Sequence, residues 1–229
     1  MSKFSSPFII NFKNYLEISG ENSMELSKVS DQVRNDTGVD IIVAPPQPSL
    51  SQVCATVKTP VISQHIDYSK PGSTTGFVVP EILKSFGVTG SIINHSEHRI
   101  DSTDSIRELV NILKHLQMVS IVCVRTPQEA GTIAGYTPDF IAIEPPELIG
   151  SGKAVSKENP SIVTESISAV SERSKSSKVI CGAGIVDKED VQSAIRLGAK
   201  GILVASGIIK SKSWYDKIYE LASGFKSLH

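Results

Sequence analysis

The chain is poor in cysteine: Cys54, Cys123 and Cys181 are its three, widely spaced and without a CxxC pair. That argues against a disulfide scaffold or a zinc ribbon, and predicts free, mostly buried thiols in a reducing compartment. Neither charge dominates, with 23 Lys and Arg against 24 Asp and Glu and a formal net charge of -1. No global attraction for nucleic acid or an anionic membrane follows from such a balance. No apolar run approaches the roughly 18 residues of a membrane span. The opening MSKFSSPFII has too short an apolar stretch, and no small-residue cleavage site, for a signal peptide; the expected location is the cytoplasm. The histidines (His65, His95, His98, His115, His229) show neither HExxH nor Cys/His ligand spacing. Also missing are GxGxxG after the first apolar run, a GxxxxGK[ST] loop and a GxSxG elbow. The residues thus give no support to a metal, dinucleotide or P-loop site.

What is present is the composition of an ordinary globule, 40% apolar and 21% charged over 229 residues, enough chain to bury a large core. Short apolar, β-branched runs recur: Phe8–Phe12, Val39–Ala44, Val61–Ile62 followed by Gln64, Gly90–Asn94, Val119–Val124, Phe140–Ile143, Val179–Cys181 and Gly201–Ala205. Such non-alternating runs predict strands covered on both faces. Between them lie helical patterns. Ser23–Arg34 carries Met24, Leu26, Val29 and Val33 near a helical period, and Asp104–Leu116 carries Ile106, Leu109, Ile112, Leu113 and Leu116. Thr126-Pro127-Gln128-Glu129 is a helix start with a cap, a first-turn proline and a glutamate three residues after the cap. Asp187 opens a helix running to Leu197 and stopping at Gly198, and a last helix spans about Ser213–Ala222. The Ser- and Lys-rich stretch Ser171–Lys178 reads as a solvated helix end and turn. Eight βα units in one domain, residues 1–229, suit an α/β closed (β/α)8 barrel; an open doubly wound sheet is the alternative.

Polar residues interrupt the strand C-termini, the end that carries chemistry in a barrel. Asn11-Phe12-Lys13 ends the first; alternation places Asn11 and Lys13 on one side, over the barrel mouth. Asn94-His95-Ser96-Glu97 ends the fourth, and Ile143-Glu144-Pro145-Pro146 the sixth. Taken singly, Lys13 reads as a surface lysine and His95 as a hydrogen-bonded structural histidine, whereas Glu144, a carboxylate costly to bury unpaired, reads as a site residue, with an ion-paired strand cap as the alternative. Glycines follow the last three strands: Gly150-Ser151-Gly152, Gly182-Ala183-Gly184 and Ser206-Gly207. They let backbone N–H groups approach an anion, so three consecutive loops point to a phosphate site.

Together these segments resemble the triosephosphate isomerase family, in its shorter archaeal form, over nearly the whole chain. The resemblance rests on Asn11-Phe12-Lys13, on Asn94-His95-Ser96-Glu97-His98-Arg99, on Glu144-Pro145-Pro146-Glu147-Leu148-Ile149-Gly150-Ser151-Gly152-Lys153, and on the segments around Gly182–Gly184 and Leu203–Gly207. It implies a TIM barrel that interconverts glyceraldehyde 3-phosphate and dihydroxyacetone phosphate, a step of glycolysis and gluconeogenesis. It further implies Glu144 as base, His95 as electrophile, Lys13 as fixed charge, Asn11 as orienting residue and Glu97 as a support for Lys13; for Glu97, a structural pair with Arg99 stays open. Gly150, Gly184, Ala205 and Ser206 are the implied phosphate donors, and Pro145, Pro146, Glu147, Leu148, Ile149, Gly150, Ser151 and Gly152 the implied lid. Gly184 stands where the commoner form has serine, and Ala205-Ser206 replaces its paired glycines. The loop Gly72–Gly76 resembles the segment reaching a neighbouring subunit, with Thr75 as the contact; at least a dimer, and a tetramer as in the archaeal form, is expected. Two other readings stay open: another phosphate-binding barrel enzyme, and a non-catalytic barrel that binds without turnover.

Overall fold

A computed structural model gives the structure of the chain; it describes residues 4–148, 152 and 154–226. The strands are β1 (Phe8–Asn11), β2 (Ile41–Ala44), β3 (Gly90–Ile93), β4 (Val119–Val124), β5 (Phe140–Ile143), β6 (Lys178–Cys181) and β7 (Ile202–Val204). The helices are α1 (Asn22–Thr37), α2 (Leu50–Thr56), α3 (Pro80–Ser85), α4 (Thr103–His115), α5 (Pro127–Ala134), α6 (Val155–Glu158), α7 (Pro160–Arg173), α8 (Lys188–Arg196), α9 (Ser206–Ile209) and α10 (Trp214–Ser223). The strands form one parallel sheet in the order β2-β1-β7-β6-β5-β4-β3. It curls into a nearly closed barrel with the helices around it.

The third expected strand takes a different form. Residues 61–63 make only bridges, Val43 with Val61 and Ser63 with Ser91. These fill the gap between the sheet's two ends: Ile62 N–H donates to Val43 O at 2.9 Å, and Ser63 N–H to Gly90 O at 2.9 Å. Pro60 has no N–H to extend the ladder. Beyond it, the Ser63 hydroxyl bonds the backbone of His65 and turns the chain away. The segment is thus the eighth stave of the ring, too short to pair as a strand.

Strand side chains sort by parity, as a period of two requires. Ile9, Ile42, Ala44, Ile62, Ile92, Val119, Ile121, Cys123, Phe140, Ala142, Ile180 and Leu203 pack together inside the ring. The alternate residues, among them Phe8, Ile10, Ile41, Val43, Val122 and Val179, pack outward with α1, α4 and α8. Fully burying one such side chain stabilises the fold by about 1.5–3 kcal/mol. Parity also aims the next inward residue of each strand at the mouth: Asn11 after Ile9, Gln64 after Ile62, Glu144 after Ala142, Gly182 after Ile180 and Ala205 after Leu203.

The helix starts obey their caps. Thr126 accepts from Glu129 N–H at 3.1 Å, and Asp187 and Asp190 form a reciprocal capping box on α8. Stretch 171–178 is the solvated helix end and turn expected, with residues 171–173, 175 and 176 exposed, but two of its serines turn inward. Ser174 and Ser177 are buried, bonded to each other, and tied by Ser177 Oγ to Pro138 O at 2.6 Å. Hydroxyls here seal the end of α7 against the loop before β5. No described helix is long and apolar enough to cross a membrane.

Candidate active site

Lys13, His95 and Glu144 line one cavity of ≈ 280 Å³ at the C-terminal mouth of the barrel, with Gly152, Gly182, Ala183, Gly184, Ala205 and Ser206 also on its wall. That size suits a small ligand. Lys13 arrives there by a left-handed backbone, φ 51°, rather than by continuing the strand. Two side chains hold that costly conformation. Asn11 Oδ1 accepts from Lys13 N–H at 3.0 Å, and Gln64 Nε2 donates to Lys13 O at 2.9 Å and Ala44 O at 3.0 Å. The Lys13 ammonium pairs with Glu97 Oε1 at 2.6 Å. Of the two readings of Glu97, this geometry favours the support for Lys13.

Glu144 ends β5 and is buried. Its N–H donates to Val124 O at 2.8 Å, which fixes its height above the ring. Burial pushes its carboxyl up to about 7, while the Cys123 thiol and the charges of Lys13 and Arg99 pull the other way. Its Oε2 has no nitrogen or oxygen partner among the described residues. A carboxylate so poorly hydrated is a stronger base than one in water. The neighbouring wall accommodates it only because residue 182 is glycine: a Cβ there would lie 2.6 Å from Glu144 Cγ and 2.9 Å from Oε1.

His95 is buried beside it, with Nε2 3.6 Å from Glu144 Oε1. This exceeds a hydrogen bond, so both groups stay free toward the cavity. His95 Nδ1 accepts from Glu97 N–H at 3.2 Å, which leaves the proton of a neutral ring on Nε2. Burial lowers the imidazole to about 4; Glu97 opposes this, and Lys13 and Arg99 add to it. The ring is therefore a neutral donor near pH 7, aimed at the space where the carboxylate is a ready acceptor.

The opposite wall is main chain. Gly184 has φ 73°, and Ser206 starts α9, so the first N–H groups of that turn lack intrahelical acceptors. Such donors suit a phosphate. Pro146–Leu148 form one 3-10 turn after Glu144, with Leu148 buried and its N–H on Pro145 O at 3.0 Å. Of the expected lid, Ile149, Gly150 and Ser151 lie outside the described residues, whereas Gly152 borders the cavity. Thr75 is exposed on its loop.

Sequence reasoning passed over Gln64, Cys123 and Lys210 as participants, and read Gly182 as part of an anion-binding loop, not as the space for Glu144. Gln64 and Gly182 are inward-facing by parity, a signal that was available. Cys123 lies beneath Glu144, and its thiol is raised well above its usual range by burial and by that carboxylate. Lys210 borders the cavity with its ammonium 5.3 Å over the Tyr15 ring, a placement no local pattern encodes.

Comparison with known proteins agrees with this geometry. A family model described as triosephosphate isomerase matches residues 7–222. A triosephosphate isomerase of Cenarchaeum symbiosum is 47% identical over 95% of this chain and 97% of its own length. Those of Methanocaldococcus jannaschii and Caldivirga maquilingensis are 43% and 46% identical, each over 93% of this chain and over 97% and 95% of their own lengths. With a match spanning every strand and the whole cavity wall, the chain belongs to the triosephosphate isomerase family.

Proposed function

We propose that this barrel interconverts D-glyceraldehyde 3-phosphate and dihydroxyacetone phosphate through a cis-enediol(ate). The observation that carries the reading is the 3.6 Å approach of His95 Nε2 to Glu144 Oε1, in a cavity with a lysine on its wall and main-chain donors opposite. The reaction moves one proton between adjacent carbons while a carbonyl and a hydroxyl trade places. Glu144 removes the proton from C1 of the ketone and returns it to C2. His95 donates from Nε2 to the carbonyl oxygen and passes protons between the two oxygens. This pairing of a carboxylate base with a neutral imidazole is the enzyme family's own established arrangement, carried over from it. Lys13 places a fixed charge beside the developing oxyanion, commonly the largest catalytic contribution. Gly184, Ala205 and Ser206, with Gly150 from the lid, grip the phosphate dianion. Closure of the segment after Glu144 removes water and keeps the enediolate from losing phosphate.

The reading needs no cofactor, and the whole function resides in one barrel domain working as a homo-oligomer, at least a dimer and in the archaeal manner a tetramer, in the cytoplasm. The loop bearing Thr75 makes the first contact. Sedimentation over a range of concentrations reports the assembly, and a monomer at micromolar concentration would reject it. For the chemistry, the test is a coupled isomerase assay. The chain should turn over glyceraldehyde 3-phosphate, and Glu144→Gln should lose that turnover while still binding inorganic phosphate. An active Glu144→Gln would remove Glu144 from the role of base. A wild type that binds phosphate but does not isomerise would favour the non-catalytic barrel.

A further inference from the structure

The imidazole and the carboxylate sit on neighbouring parts of the ring, yet no bond joins them. Something must set their separation. His95 follows directly on Asn94, a buried residue whose backbone is left-handed, φ 61°. Asn94 uses every hydrogen-bonding group of its side chain locally. Its Nδ2 donates to Cys123 O at 2.9 Å, and its Oδ1 accepts from Ile100 N–H at 3.0 Å. Its own carbonyl is gripped by Arg99 Nη1 at 3.2 Å.

The first of these bonds crosses from the end of β3 to β4. Cys123 on β4 presses its thiol against Glu144, and its neighbour Val124 receives the Glu144 N–H at 2.8 Å. A continuous path therefore runs from the ring of His95 through Asn94 to the strand that seats Glu144. The second bond and the Arg99 grip close residues 94–100 into one compact turn, in which Glu97 N–H holds Nδ1 of the ring. The guanidinium also places its charge within reach of both His95 and Glu144.

We propose that Asn94 is the positioning residue that sets the His95 imidazole against the Glu144 carboxylate, with Arg99 locking its carbonyl. It acts through His95 and does not touch the ligand. This goes beyond the isomerase reading and rests on it for its kinetic test. A simpler account would have Asn94 present only because its backbone is left-handed, a conformation asparagine tolerates better than most residues. Glycine separates the two accounts, since it adopts the same backbone freely but has no amide to bridge the strands.

The experiment compares wild type, Asn94→Gly and Arg99→Lys. Readouts are kcat and KM for glyceraldehyde 3-phosphate, inhibition by inorganic phosphate, and the ¹⁵N spectrum of the His95 ring. Asn94→Gly should lower kcat by about 10- to 100-fold, the scale of a misplaced catalytic group. KM and phosphate inhibition should stay within about threefold, the phosphate wall being untouched. The ring should change from a single Nε2–H tautomer to a mixture. A kcat within about twofold of wild type, or loss of phosphate affinity in parallel with kcat, would overturn the proposal. Should Asn94→Gly not fold, Arg99→Lys tests the lock: it keeps the charge but loses the planar grip. It should lower kcat by about 3- to 10-fold at constant KM, and an unchanged kcat would overturn the proposal. An inactive wild type would defeat the isomerase reading alone. The ring spectrum then decides the positioning claim: a wild-type tautomer retained in the variant overturns it, a mixture supports it.

Discussion

Adding one methyl group at position 182 should disable the site while leaving the barrel standing. The Cβ of Gly182→Ala would lie 2.6 Å from Glu144 Cγ and 2.9 Å from Oε1. Carbon–carbon contacts are comfortable at about 3.5–4.0 Å, so the carboxylate must retreat by about 1 Å. Its Cγ is not a free end: the chain above it turns at once into Pro145 and Pro146, and the thiol of Cys123 lies below. A shift of that size at a reacting group costs about 100-fold in rate, or about 2.7 kcal/mol of barrier. The overpacking itself should destabilise the fold by about 1–3 kcal/mol. The assay is kcat and KM for glyceraldehyde 3-phosphate with a thermal melt on the same samples. Gly131→Ala serves as control, because its Cβ would meet nothing closer than Ala169 Cβ at 3.4 Å, far from the mouth. A Gly182→Ala enzyme with kcat within about twofold of wild type would refute the placement of Glu144.

Further outcomes follow from the same geometry. Because Glu144 is pushed up to about 7 and acts ionised, kcat/KM should rise through pH 7 and level off above it. His95, lowered to about 4, should add no limb between pH 5 and 9; a profile flat down to pH 5.5 would contradict the raised Glu144, and a second limb near pH 6.5 the lowered His95. The raised carboxyl also affects stability. A folded-state value above the unfolded one favours the fold below about pH 4.5, and that contribution is lost as pH rises through 7. Glu144→Gln should thus melt above wild type at pH 8, with the gap closing toward pH 4.5, and a gap that widened on acidification would reverse the sign. Gln64→Ala removes two bonds to Lys13 O and Ala44 O, so about 1–3 kcal/mol of stability should go. Its kcat should fall as well, because Lys13 loses the hold on its left-handed backbone; unchanged kinetics would show that Asn11 suffices. Glu97→Gln leaves the ammonium of Lys13 without its 2.6 Å partner. Glu97 is half exposed, so the melting temperature should barely move, whereas kcat should drop about tenfold; a normal rate would make the pair merely structural.

The strands were legible because barrel strands are buried on both faces and punctuated by glycine and proline. Val119–Val124 and Phe140–Ile143 are bounded as the residues suggest. The stave at 61–63 was misjudged as a strand because pairing depends on neighbours, and Pro60 and Ser63 restrict it to bridges. The site was legible where a residue type is costly in its place, a carboxylate ending an apolar strand; Lys13 and His95, bland taken singly, stood out through the family resemblance. It was illegible where the partner lies elsewhere on the ring. Nothing near position 64 announces the carbonyl of Lys13, and nothing near position 182 announces the side chain of Glu144. Parity could have nominated both as inward-facing, but only the assembled ring tells what each one meets. The solvated helix end at 171–178 was legible from composition, but not the two serines within it that turn inward, Ser177 onto the Pro138 carbonyl and Ser174 onto Ser177.

The central claim, that Glu144 carries a proton between adjacent carbons, is tested most directly by converting glyceraldehyde 3-phosphate in heavy water and following the products by proton NMR. Deuterium should enter at carbon during turnover by wild type, and neither exchange nor isomerisation should survive Glu144→Gln. Isomerisation, or deuterium uptake at carbon, that persists in Glu144→Gln would contradict the account.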